Sequence, residues 1–225
     1  LNDQCPNIVL SNNEFKDIYK YIKQNILNKD YDDVDILAST INVIFQLSTL
    51  KKQKKITNGV SSIDLLECEI TLKNHYNIKG DEDLIILKID IKDEKSILTY
   101  VEYEVYEPIN ITLLDLSICN QTDMLINIPM NLDEETKSLY DSLNQSGYNL
   151  FDSEDPFYSD ICTPYTTINF TDIILTDRKN IIFVNNGNKI LCQTNCLLNQ
   201  YDSINNRAIC QCQTQNITKE PDLES

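Results

Sequence analysis

The sequence predicts an α+β, β-rich fold: an antiparallel sheet or sandwich with two or three helices, plus a small disulfide-stapled C-terminal module. Three observations carry this. Strand-length runs crowd residues 83–130, two stretches repeat apolar side chains at helical spacing, and five of eight cysteines fall within residues 162–212. With 225 residues, 41% of them hydrophobic and 8% aromatic, the chain can bury a core, which excludes global disorder.

Taken in order, Ser11-x-x-Glu14 forms a capping box, and Phe15, Ile18, Tyr19, Ile22, Ile26 and Leu27 share one stripe. That pattern predicts a helix over 14–28. Next, Ile41, Val43, Phe45, Leu47 and Thr49 alternate with Asn42, Ile44, Gln46 and Ser48, as in a half-buried strand. The run Lys51 to Lys55 (KKQKK) ends it and reads as a solvated loop. Leu65, Cys68, Leu72 and Tyr76 favour a helix within 64–76, closed near Gly80. Four strands are predicted next, at 83–91, 96–107, 111–119 and 123–130, in an antiparallel meander. In the second of these, Val101, Tyr103 and Val105 share a face opposite Tyr100, Glu102, Glu104 and Tyr106. A helix over about 133–145 follows Asn131 as cap and stops before Gly147. After Tyr148 the periodicity fades. Residues 1–155 are read as a β-rich mixed domain with an N-terminal helix, and 156–225 as a cysteine-rich module that depends on its bridges.

Charge excludes some partners. Nineteen basic against 35 acidic side chains leave a net charge of −16, which disfavours nucleic acid and anionic membrane surfaces. No apolar run reaches the ~20 residues of a membrane span, so direct insertion of this segment is not expected. Thirty-one Ile, 26 Asn, 17 Lys against two Arg, and no Trp are what AT-rich coding produces. The chain starts at Leu1 and reads as a processed or excerpted piece.

The cysteines are Cys5, Cys68, Cys119, Cys162, Cys192, Cys196, Cys210 and Cys212, an even set that suits disulfides. Zinc is the rival, since Cys192-x3-Cys196 and Cys210-x-Cys212 put four sulfurs close in sequence. A one-residue gap is a poor metal pair, however, and His75 lies far away, so no metal site is assigned. Cys210 and Cys212 stand too close to bond each other. They are expected to cross to Cys192 and Cys196, in an order left open, while the other four form two longer bridges. Such a framework points to an oxidising, extracellular or cell-surface location. There, the sequons at Asn110, Asn120, Asn144, Asn169 and Asn216 are expected to carry several N-linked glycans.

Catalytic patterns are sparse. Four glycines give no phosphate loop, and the lone His75 sits in the hydrophilic string KNHYN, so no catalytic residue is assigned. No cofactor is assigned either. Calcium is the one candidate, at Asp30, Asp32, Asp33 and Asp35 or at Asp81, Glu82 and Asp83, although solvated acidic loops explain both.

Ser62-Ile63-Asp64, Cys68, LIILKIDI, VEYEVYEP, LDLSIC, SGYNLFDSEDPFYSDICTPYT, TDIILTDRKN and the Cys192–Cys212 cluster together form a distinctive series. It resembles an ectodomain module of large cysteine-rich surface glycoproteins from protists with AT-rich genomes, ciliates among them. The likeness spans residues 62–212, and DPFYSDIC followed by TDIILTDR is its specific part. One turn departs from the pattern: Asn169-Phe170-Thr171-Asp172 stands where Gly-Thr-Asp is usual, losing a glycine and gaining a sequon. The resemblance implies an extracellular module set among neighbouring modules, and brings no catalytic residue with it. The expected function is therefore a non-enzymatic structural or interaction module, a filament or surface-coat subunit partnered by copies of itself or by a tandem array. Ile8–Leu10 and the residues after Cys212 are the expected junction segments, each able to extend a neighbour's sheet. The alternative is a ligand-binding or adhesion ectodomain, calcium-assisted.

Overall fold

The computed structural model describes residues 12–26, 36–39, 42–55, 59–92, 98–120, 122–162, 165, 173–180, 182 and 191–213. The elements run α1 (Asn12–Ile26), β1 (Ile36–Ser39), β2 (Val43–Thr49), α2 (Leu50–Gln53), β3 (Ser62–Asp64), α3 (Glu67–His75), β4 (Ile85–Lys92) and β5 (Thr99–Tyr106). They continue as β6 (Asp123–Pro129), α4 (Glu134–Gln145), α5 (Leu175–Lys179), β7 (Cys196–Asp202) and β8 (Arg207–Gln213), with 3-10 turns at Leu116–Cys119 and Pro156–Tyr158. Two four-stranded sheets result, ordered β1-β2-β4-β5 and β3-β6-β8-β7, and every pairing is antiparallel. The α+β class and the stapled C-terminal module stand as the sequence predicts.

Alternation assigns the faces of the first sheet. Val43, Phe45, Leu47, Ile85, Leu87, Ile89 and Tyr106 form one buried layer, and α1 lays Ile18, Tyr19 and Ile22 across it. The opposite face sends Ile86, Val101, Tyr103 and Val105 into a second core, which they share with Ile63, Met124, Ile126, Ile128, Ala208, Cys210 and Cys212 of the other sheet. Tyr103 donates its hydroxyl to Met124 Sδ at 2.7 Å across that junction. Strand β4 is therefore covered on both faces and is buried from Ile85 to Asp90. The same core contains Phe157 and Leu191, so it draws on residues from both sides of position 155.

Several expected elements differ. The run 111–119 alternates like a strand, yet only Leu113 pairs, in a single bridge to Tyr106. Ile111 adopts a left-handed φ of 52°, which breaks the extended chain, and the Asp115 carboxylate accepts the Ser117 N–H at 2.9 Å and starts the 3-10 turn. The meander fails with it: β6 leaves β5 and lies between β3 and β8. The KKQKK run is not a loop at its start, because the Thr49 hydroxyl accepts the Lys52 N–H at 3.4 Å and caps α2.

Helix α4 is capped by Asp133 and not by Asn131. Its carboxylate accepts both the N–H and the hydroxyl of Thr136, each at 2.8 Å. Replacing Asp133 with Ala should cost about 1 kcal/mol, read as a lowered urea midpoint with unchanged slope. An unchanged midpoint would show that the cap carries no weight.

The C-terminal hairpin completes the second sheet. Strand β8 pairs with β6 from Asp123↔Gln213 to Pro129↔Arg207, and β7 forms the outer edge. Gln193, just before that hairpin, holds the edge of the first sheet. Its side-chain amide accepts the Val101 N–H at 2.7 Å and donates to the Val101 carbonyl at 3.4 Å, imitating a ladder partner.

Candidate functional site

Six cysteines form three disulfides: Cys68–Cys119, Cys192–Cys210 and Cys196–Cys212. The first ties α3 to the 3-10 turn Leu116–Cys119. The other two staple the hairpin, and Cys196 stands directly opposite Cys212 in the β7–β8 register. Cys210 and Cys212 lie two apart on one strand face, both buried, and cross to separate partners. Cys162 is unbonded and exposed, and Cys5 lies outside the described residues, so the fourth expected bridge is not among those seen.

The two motif strings 155–162 and 171–180 meet. Asp155 starts the turn, its carboxylate accepting N–H groups from Phe157 and Asn149, each at 2.8 Å. Arg178, 2% exposed, reaches in from α5 and donates to the Phe157 carbonyl at 2.9 Å and the Asp160 carbonyl at 3.3 Å. Its guanidinium also lies 5.0 Å from the Phe157 ring centre. Tyr148 donates to the Asp160 carboxylate at 3.0 Å, and Tyr158 to the Leu150 carbonyl. What makes this string distinctive in sequence is thus a clamp: a planar fork holding two carbonyls and a ring, a task lysine's point charge cannot perform.

The other arginine anchors a second clamp, between the sheets. Arg207 donates to the carbonyls of Val60 at 2.9 Å and Asn127 at 2.8 Å. Next in line, the Asp90 carboxylate accepts the N–H and hydroxyl of Ser61, and Lys88 donates to the Ser61 carbonyl. Lys88 Nζ stands 3.6 Å from Asp90. Burial lowers the lysine to about 8, Asp90 opposing the shift and Arg207 adding to it. Beside them Gln53 donates to Gln46 at 3.2 Å and to Ser48, while its own Oε1 has no partner. Lys88 and Ser61 are wholly buried, so no substrate reaches them, and the group fixes one sheet against the other.

An open cleft of about 370 Å³ lies beside α4, lined by Tyr140, Asn144, Gly147, Tyr148, Asn149, Leu198, Asn199 and Gln200. Tyr140 accepts the Tyr201 N–H at 3.0 Å and so tethers α4 to the β7 edge. Among the expected glycan sites, Asn110 lies on a turn, Asn120 ends a 3-10 turn and Asn144 sits in the last turn of α4, all exposed. Asn169 and Asn216 lie outside the described residues, as do Ile8–Leu10 and Asp30, Asp32, Asp33 and Asp35. Of the second acidic group, Glu82 pairs with Lys79 and Asp83 accepts the Lys51 N–H at 3.1 Å, so these two oxygen donors serve the fold. No cluster of three metal-ligating side chains occurs among the described residues. His75 is exposed at the end of α3, edge-on to Tyr76.

Sequence reasoning missed both clamps and the cleft. The signal for the clamps was present: only two of 19 basic residues are arginine. Both are buried. The chain matches no protein-family model, no curated protein and no solved structure. No helix among the described residues is long and apolar enough to cross a membrane.

Proposed function

We propose that this chain is a non-catalytic structural module of an extracellular glycoprotein, working among copies of itself or neighbouring modules. The disulfide set carries the reading. One bridge ties α3 to the 3-10 turn Leu116–Cys119 and two staple the β7–β8 hairpin, and such bonds persist in oxidising compartments. The exposed sequons Asn110, Asn120 and Asn144 support it, because each side chain is reachable by a glycan. Assembly through Ile8–Leu10 and the residues after Cys212, giving a filament or surface coat, belongs to the same proposal.

Secretion from eukaryotic cells tests it. The unreduced protein, alkylated and weighed, should show no label on the six bridged cysteines, and peptide-N-glycosidase should lower its mass at two or more sequons. Sedimentation should show concentration-dependent polymers. Four or more labelled thiols, or no mass loss, would remove the extracellular assignment, and a monomer at every concentration would remove the assembly.

A further inference from the structure

We propose that the cleft beside α4 is the seat of this protein's own N-glycan, attached at Asn144. The inference rests on the glycoprotein reading and adds where the sugar goes. Asn144 opens the sequon Asn144-Gln145-Ser146, is exposed, and is itself part of the cleft wall. A sugar linked there is held at high effective concentration over the cleft and needs little further affinity to settle.

The lining suits a neutral, hydroxyl-rich ligand. Half-buried Tyr148 supplies a ring, Asn149, Asn199 and Gln200 supply amides, and none of the eight lining residues is an Asp, Glu, Lys, Arg or His. In a chain of net charge −16 such a charge-free patch is notable. Ring faces stack on the C–H faces of a pyranose, and amides pair with its hydroxyl and acetamido groups. The volume of about 370 Å³ falls within the range of small-ligand sites.

Position gives the sugar a task. The opposite wall, Leu198–Gln200, belongs to the outer edge strand β7, where a register shift interrupts the pairing with β8. Leu197 beside it is 78% exposed. Exposed edges recruit other strands unless covered, and a docked glycan covers this one. Attachment takes place on the unfolded segment. Asn144 Nδ2 bonds to sugar C1 of a lipid-pyrophosphate-linked oligosaccharide, the C1–O bond breaks, the pyrophosphate leaves with the electron pair, and Nδ2 gives up a proton. In the folded chain Asn144 is held in the last turn of α4, and Ser146 donates its hydroxyl to the Ser142 carbonyl at 3.2 Å.

Hydrogen exchange on the secreted glycoprotein tests the proposal, with site occupancy read from its glycopeptides. Asn144→Gln and Ser146→Ala, which removes the sequon without touching Asn144, should each raise exchange across Leu198–Gln200 about tenfold or more. Asn110→Gln should leave β7 unchanged. In the native protein, enzymatic release of the Asn144 glycan should also lag behind release from Asn110 and Asn120, and the lag should vanish on denaturation. An occupied Asn144 whose loss leaves β7 exchange unaltered overturns the docking, as does an empty Asn144 beside occupied neighbours. Absence of glycan at every sequon overturns the glycoprotein reading itself.

Discussion

Asp90→Ala should destabilise the protein by about 3–5 kcal/mol, the range for stripping a buried charge of its partner. Lys88 would stay sealed between the sheets without its carboxylate, and the Ser61 N–H and hydroxyl would lose their acceptor. Lys88→Met should cost far less, since Asp90 keeps both Ser61 donors. The pH dependence separates the two effects. Lys88 titrates at about 8 in the folded protein against 10.5 in the unfolded chain, so between those values the unfolded state binds more protons. Stability should therefore rise from pH 8 towards 10, a window worth on the order of 3 kcal/mol if followed to 10.5. Above pH 10 the buried hydroxyls of Tyr106 and Tyr158, held above their ordinary range by burial, act in the opposite sense. Urea titrations of wild type and Lys88→Met at pH 7, 8, 9 and 10 check this. A rise that persists in Lys88→Met assigns it to another group.

The second large effect belongs to the bridges, and their order is the test. Cys68 and Cys119 are 51 residues apart, whereas the hairpin pairs close spans of 18 and 16. Loop-closure entropy then gives roughly 4 kcal/mol for the first and roughly 3 for each of the others. Paired Cys→Ala variants compared by urea unfolding should rank Cys68/Cys119 as the most damaging. Cys196/Cys212 should be the mildest, because its partners already face each other in the β7–β8 ladder. A reversed order would mean that native packing, not chain entropy, sets the scale.

Where side chains alternate over a long run, the fold could be read directly. Val101, Tyr103 and Val105 against Glu102 and Glu104 set the faces of β5, and Ile18, Tyr19 and Ile22 set the inner stripe of α1. Side-chain caps decided the failures. Asp115 turns an apolar run into a 3-10 turn, and Asp133 displaces Asn131 by its two bonds to Thr136. Alternation in β4 does not reveal its surroundings: Lys88 and Asp90 are polar, yet both are buried where the second sheet covers that face. That sheet is built from strands far away in sequence, so no local pattern announces it. The same distance hid the cleft, whose walls come from 140–149 and 198–200. The cysteines were the most legible part, since spacing alone kept Cys210 and Cys212 apart.

The place of β8 in the middle of its sheet has a consequence for biosynthesis. Its contacts with β6 join residues 78 to 90 positions apart, from Pro129↔Arg207 to Asp123↔Gln213. At about 5–20 residues per second, the ribosome delivers β8 some 4–16 s after β6. During that interval β6 has β3 on one side and nothing of its own on the other. Cys68 and Cys119 have both emerged by then and can oxidise together before any hairpin thiol arrives to compete. The nascent chain thus can acquire the longest of the three described bridges first and closes its second sheet last. Any chaperone or oxidoreductase that attends it must shield one half-finished strand until the final hairpin is released.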